Sequence, residues 1–140
     1  MLDESEYIRW MDMARRTLES SRNDLTSGDY NWACFKAQQS AEFALKGLLR
    51  GLRFNTRGQS LTKLLLRLPE NLNPAGILEA AKSLDQYYLP TRYPDSWAEG
   101  APADFYTKQD ARKAISHASL VIKWVEETWL SIKAEKISRL

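Results

Sequence analysis

From Tyr7 to Leu25 the small and apolar positions fall at alternating steps of four and three: Tyr7, Met11, Ala14, Leu18, Ser21 and Leu25. That spacing draws a single stripe along a long amphipathic helix over residues 4–26. The period returns twice. Cys34, Ala41, Leu45, Leu48 and Leu52 mark one side of a helix from about Tyr30 to Leu52. Ala111, Ala114, Ala118, Val121, Val125 and Ile132 mark another that begins near Thr107. No stretch alternates with the period of two that a strand requires, and no internal repeat or low-complexity segment is present. A chain so patterned folds by burying helical stripes against one another.

The punctuation between the stripes fixes their order in space. In "SGD", Ser27 to Asp29, the glycine suits the left-handed position after a helix and Asp29 suits the cap of the next. So short a connection makes the first two helices antiparallel neighbours. "NTRGQS", Asn55 to Ser60, reads as a loop whose serine caps a short helix, Leu61 to Leu68, which Pro69 ends. Asn73 fits an N-cap with Pro74 at the first helical position, opening a helix to about Leu89. Three prolines and Gly100 between Pro90 and Pro102 leave that segment irregular. Thr107 and Asp110 form a capping-box-like pair at the start of the last helix. The expected architecture is all-α: one domain over residues 1–140, an antiparallel up-and-down helical bundle of three long and two shorter helices.

Composition narrows the function classes. A formal charge of +2 gives no global field that demands nucleic acid, although a local basic patch remains open. One cysteine and one histidine exclude an intrachain disulfide and a Cys/His zinc site, so no metal is expected. Cys34 lacks basic neighbours in sequence and reads as a small buried hydrophobe. No phosphate-binding glycine loop, paired metal motif or other cofactor signature occurs. The acidic, polar start "MLDESEYIRW" is unlike a signal peptide, and no apolar run approaches the ~20 residues of a membrane span. A cytoplasmic protein is expected.

Three places carry candidate chemistry. In "YNWACFKAQQSAEFALKGLL", Gln38, Glu42 and Lys46 follow on successive turns, with Gln39 beside them. They form either a solvated face, with a Glu42–Lys46 pair worth ~0.3–0.5 kcal/mol, or the lining of a cleft. In "PTRYPD", Pro90 to Asp95, two prolines stiffen the backbone around Arg92 and Tyr93. Arg92 either binds phosphate or carboxylate through its planar fork or forms a turn with Asp95 that anchors the loop. Arg112 and His117, in "RKAISH", match the residue types of a metal-independent ribonuclease, with histidine as acid/base and arginine stabilising phosphorane-like charge. Five steps along one ideal helix set them about 140° apart, which favours a chance match over a concerted pair.

Taken together, "YNWACFKAQQSAEFALKGLL", "GQSLTKLL", "PTRYPD" and "YTKQDARKAI", in that order, resemble the HEPN family, the higher-eukaryote and prokaryote nucleotide-binding domain, in its small stand-alone prokaryotic form. The resemblance spans roughly Ile8 to Val125 and implies a homodimeric helical bundle, often encoded beside a minimal nucleotidyltransferase. It also implies two functional branches: nucleotide- or RNA-linked binding modules and toxin ribonucleases of toxin–antitoxin pairs. Tyr30, Gln38, Gln39, Glu42 and Lys46 match the family pattern of the second helix, and Arg92, Tyr93 and Asp95 match the loop. Relatives commonly carry a histidine where this chain has Gln59, and a polar residue other than Lys113 after the ribonuclease arginine. The expectation is therefore a dimeric binding module with these eight residues at its ligand site and no catalytic residue. The alternative is an endoribonuclease using Arg112 and His117 in a composite dimer cleft.

Overall fold

A computed structural model describes residues 1–139. Its long helices are α1 (Glu4–Ser27), α2 (Tyr30–Gly51) and α5 (Lys108–Ser138); α3 (Leu61–Leu65) and α4 (Leu78–Asp85) are short. No strand occurs among the described residues. The all-α bundle of three long and two shorter helices is thus what the sequence pattern leads one to expect. α1 and α2 pack along their length, α5 lies against both, and α4 closes on α5. All three stripes read from the sequence face inward, with Met11, Ala14, Leu45, Leu48, Ala114, Val121 and Val125 buried.

Most of the punctuation is used as written. Gly28 takes φ +83°, and its N–H bonds back to the carbonyls of Asp24 and Leu25. Ser60 accepts from the Lys63 N–H, and Thr107 and Asp110 make both bonds of a capping box. Asp29 stands at the N-cap of α2, but its side chain makes no capping bond. Two helices are shorter than their periodicity. After Leu65 the chain tightens into i→i+3 bonds from the N–H groups of Leu66, Arg67 and Leu68, ahead of Pro69. The segment after Asn73 begins as a 3₁₀ turn, Ala75–Ile77, and α4 ends at Asp85 rather than Leu89. Pro90 disfavours helical backbone at Leu89, so residues 86–89 leave the helix early.

Two glycines on successive turns of α2 let the long helices approach closely. A Cβ on Gly47 would stand 2.9 Å from the Trp10 Cβ, and one on Gly51 would stand 2.5 Å from the Trp129 ring. The buried Trp129 stacks on Tyr7, centroids 4.1 Å apart, and so ties α1, α2 and α5 together at one end. The irregular segment after α4 is also ordered by its own contacts. Trp97 stacks on Phe105 at 3.9 Å and donates its indole N–H to the Pro90 carbonyl at 2.8 Å.

Candidate functional site

The amide-and-charge row of α2 is buried. Gln38 and Glu42 are closed off from solvent, and Gln39 is half-buried. One oxygen of Glu42 accepts from the Gln39 amide at 3.2 Å, with the Gln38 amide at 3.4 Å; the other meets the Lys46 ammonium at 3.0 Å. Gln39 also donates to the Gln38 carbonyl at 2.9 Å, and Gln38 donates to the backbone carbonyl of Gln59 at 3.1 Å. The side chains of Lys46 and Glu42 are only 14% and 6% exposed, so the weak coupling of a wet surface pair does not apply. The network gives Glu42 three donors, and through Gln59 it holds the loop before α3 against α2. Tyr30, at the start of the helix, packs on the core edge.

Arg92 has the opposite character. Its Nε donates to the Tyr88 carbonyl at 3.0 Å, and its guanidinium lies 4.2 Å from the Phe35 ring centroid, 4.7 Å from Tyr88 and 4.9 Å from Tyr93. Stacking of this kind favours a planar cation and fixes its orientation. No carboxylate pairs with Arg92 among the described residues, and no protein acceptor engages its terminal nitrogens. Asp95 is exposed in the 3₁₀ turn Pro94–Ser96 and forms no turn with Arg92. Tyr93 (47% exposed) and Trp32 (43%) leave aromatic faces open at the edge of this cluster.

The two groups are neighbours without touching. Phe35, one turn before Gln39 on α2, carries Arg92 on its ring. Tyr88 lies 6.2 Å from Phe35 and lines a cleft of about 370 Å³ with Gln59, Ser60, Lys63 and Asp85. Asp85 is committed there to the Ser60 and Thr62 hydroxyls and to the N–H groups of Leu61 and Thr62. No hydrogen bond or ion pair joins Arg92 to Gln39, Glu42 or Lys46. Phe35 and Gln39 thus set the two groups one helical turn apart on α2, with Arg92 half-buried and Tyr93 exposed, and with Gln38 and Glu42 buried.

Several contributors carried little signal in the sequence. Phe35 stands inside the spaced pattern of α2 with no site role assigned to it, and Tyr88 reads as part of a helix that in fact ends before it. Asn31, buried in the first turn of α2, donates to the Thr91 carbonyl at 2.9 Å, and the Thr91 hydroxyl donates to the Tyr87 carbonyl at 2.5 Å. Nothing in a lone asparagine after a cap, or a threonine beside proline, announces such burial.

Elsewhere, Arg112 and His117 line one open groove of roughly 640 Å³ with Arg22, Ser116, Ser119 and Lys123. α5 runs unbroken past them, and no bond joins the pair. The His117 Nε2 is buried without a partner among the described residues; desolvation, with help from Lys113, lowers its pKa, against an opposing pull from Glu79. Burial pushes the Cys34 thiol up to about 12, which makes it an inert core group. No cluster able to hold a metal ion exists among the described residues, and none of their helices is long and apolar enough to cross a membrane.

The HEPN domain model matches residues 7–128. The chain belongs to the HEPN domain family. This HEPN domain superposes on TT1696 from Thermus thermophilus with a TM-score of 0.84 at 44% identity, covering 86% of this chain and 96% of that one. It matches ST0689, an archaeal HEPN homologue, with a TM-score of 0.75 at 41% identity over 87% and 96% of the two chains. An HEPN domain protein from Thermotoga maritima aligns with a TM-score of 0.64 at 29% identity, over 86% and 97%. Among curated proteins none matches.

Proposed function

We propose that this HEPN domain is a non-catalytic, homodimeric binding module that holds the phosphate of a nucleotide or an RNA end at Arg92. The observation that carries the reading is the state of that guanidinium. It is fixed by one carbonyl and three aromatic rings, while its terminal nitrogens have no protein partner among the described residues. A cation held in this way is oriented before its ligand arrives, which lowers the cost of binding. Tyr93 offers a stacking face for a base, and Gln39 an amide oxygen that receives no donor in the network. Gln38, Glu42 and Lys46 serve as the braced floor of the site, and Asp95 borders it. By family resemblance, the module works in the cytoplasm beside a minimal nucleotidyltransferase, and co-purification of such a partner tests that part. No cofactor is required.

Titration of 5′-AMP against wild type and Arg92→Ala, read by calorimetry, tests the site. Loss of a charge-assisted fork costs about 1.5–3 kcal/mol, roughly tenfold to a hundredfold in affinity. Arg92→Lys restores only part, because an ammonium keeps the charge without the planar fork. Identical isotherms for wild type and Arg92→Ala, or no binding by either, overturn the reading.

A second reading has one observation in its favour: Arg112 and His117 share a groove with Arg22 and Lys123, and His117 is shifted toward its neutral, proton-accepting form. RNA cleavage in chelator that disappears in His117→Ala would make the protein an endoribonuclease instead.

A further inference from the structure

The backbone that presents Arg92 is fixed more heavily than an irregular segment needs to be. Five consecutive carbonyls, Tyr87 to Thr91, each accept a hydrogen bond: from the Thr91 hydroxyl, Arg92 Nε, the Arg92 and Tyr93 N–H groups, Trp97 Nε1 and Asn31 Nδ2 in turn. Four of these carbonyls are served from within residues 87–97 themselves. The fifth is not. Among the described residues, Asn31 makes the single hydrogen bond from the long helices to this segment. It does so at the carbonyl immediately before Arg92, from a buried side chain to a residue with no exposed surface.

Asn31 also stands one turn before Phe35 on α2, so the two share a helix face. Phe35 supplies the ring nearest the guanidinium, at 4.2 Å. One helix face therefore sets both ends of the arrangement: Asn31 fixes where the backbone of Arg92 lies, and Phe35 receives its side chain. The segment's own bonds keep its shape, but they do not determine where it sits over α2. We infer that Asn31 is a positioning residue for the Arg92 site: it fixes the 87–97 segment over Phe35 so that the guanidinium meets an anionic ligand already oriented. The inference rests on the anion-site reading above. It adds a residue that touches no ligand and acts through Arg92.

The test is a double-mutant cycle on 5′-AMP affinity, with thermal unfolding measured on every variant. Asn31→Ala removes the donor and the volume; Asn31→Leu removes the donor but keeps a side chain of the same branched skeleton, somewhat larger. Each is expected to weaken 5′-AMP binding about tenfold, while the bundle keeps its helicity. In the Arg92→Ala background the same changes should leave the residual affinity unaltered, because Asn31 then has nothing to position. A purely structural role predicts the reverse, an equal loss in both backgrounds, and that result overturns the inference. So does wild-type affinity in a folded Asn31→Ala, or failure of both Asn31 variants to fold, which would make Asn31 a residue of the fold. If Arg92→Ala itself leaves 5′-AMP binding untouched, the anion-site reading falls and takes this inference with it. If Arg92→Ala weakens binding and the Asn31 variants do not, only this inference falls.

Discussion

At the scale of single residues, the same chemistry has different worth in different surroundings. Glu42 and Lys46 occupy an ordinary i, i+4 helical pair that on a wet surface contributes ~0.3–0.5 kcal/mol. Here two glutamines and the loop before α3 close over the pair. Removing one partner leaves a charge in a site that has lost its counterion. Lys46→Ala is therefore expected to lower stability by about 2 kcal/mol, below the ~3–5 kcal/mol of a fully buried pair, because Gln39 and Gln38 still donate to Glu42. Replacing both charges by neutral side chains, Glu42→Gln with Lys46→Met, should restore most of that loss. Urea unfolding of wild type and the two variants measures it, and an unchanged midpoint for Lys46→Ala means that the pair behaves as a wet surface pair. Burial of this row could not be read from the sequence, since helical polarity looks the same against water and against a neighbouring loop. The state of Arg92 was half legible: prolines on either side announced a stiff loop, while nothing in the sequence assigned a site role to Phe35 and Tyr88, which hold the guanidinium.

At the scale of helices, close approach is bought with missing side chains. Gly47 and Gly51 lie one turn apart on α2, facing Trp10 on α1 and Trp129 on α5. A methyl group at Gly51 would meet the six-membered edge of the Trp129 indole at 2.5–2.7 Å. That ring cannot simply swing away, because it is buried and stacked within 7° of the Tyr7 plane. Helix propensity favours Gly51→Ala by up to ~1 kcal/mol, whereas overpacking of this kind costs ~1–3 kcal/mol. A net destabilisation of roughly 1–2 kcal/mol is expected, seen as a lower midpoint in thermal unfolding with loss of near-ultraviolet tryptophan signal. A stabilised Gly51→Ala would mean that the two aromatic rings are free to move. The long helices could be read from the sequence because their stripes persist over many turns, with Gly28 closing α1 and the Thr107–Asp110 box opening α5, although the cap expected of Asp29 makes no side-chain bond. The short ones misled where proline acted at a distance: Pro69 and Pro90 each shorten the helix ahead of them by several residues, which periodicity alone does not register.

At the scale of the whole molecule, the bundle leaves apolar surface that its own helices do not cover. Leu120 is 46% exposed on α5, Trp124 on the next turn is half-buried, and both border a shallow depression of about 230 Å³ with Gly76 and Ile77. Five tryptophans, six tyrosines and four phenylalanines exceed what one small bundle buries, and Trp32 and Tyr93 stand open as well. An aromatic and leucine face of this kind is what the centre of a subunit interface is made from. This face of α5 is the surface expected to meet its symmetry mate in the homodimer proposed above, since a two-fold contact uses one patch twice. Light scattering at micromolar concentration should then report about twice the 16.1 kDa of one chain. Leu120→Glu would set two like charges near one another across the axis, where desolvation and repulsion both oppose association. It should shift the protein to monomer while far-ultraviolet dichroism stays helical. Retained dimer in Leu120→Glu would move the interface to another face, and a wild-type monomer would leave Leu120 and Trp124 as surface that needs no partner.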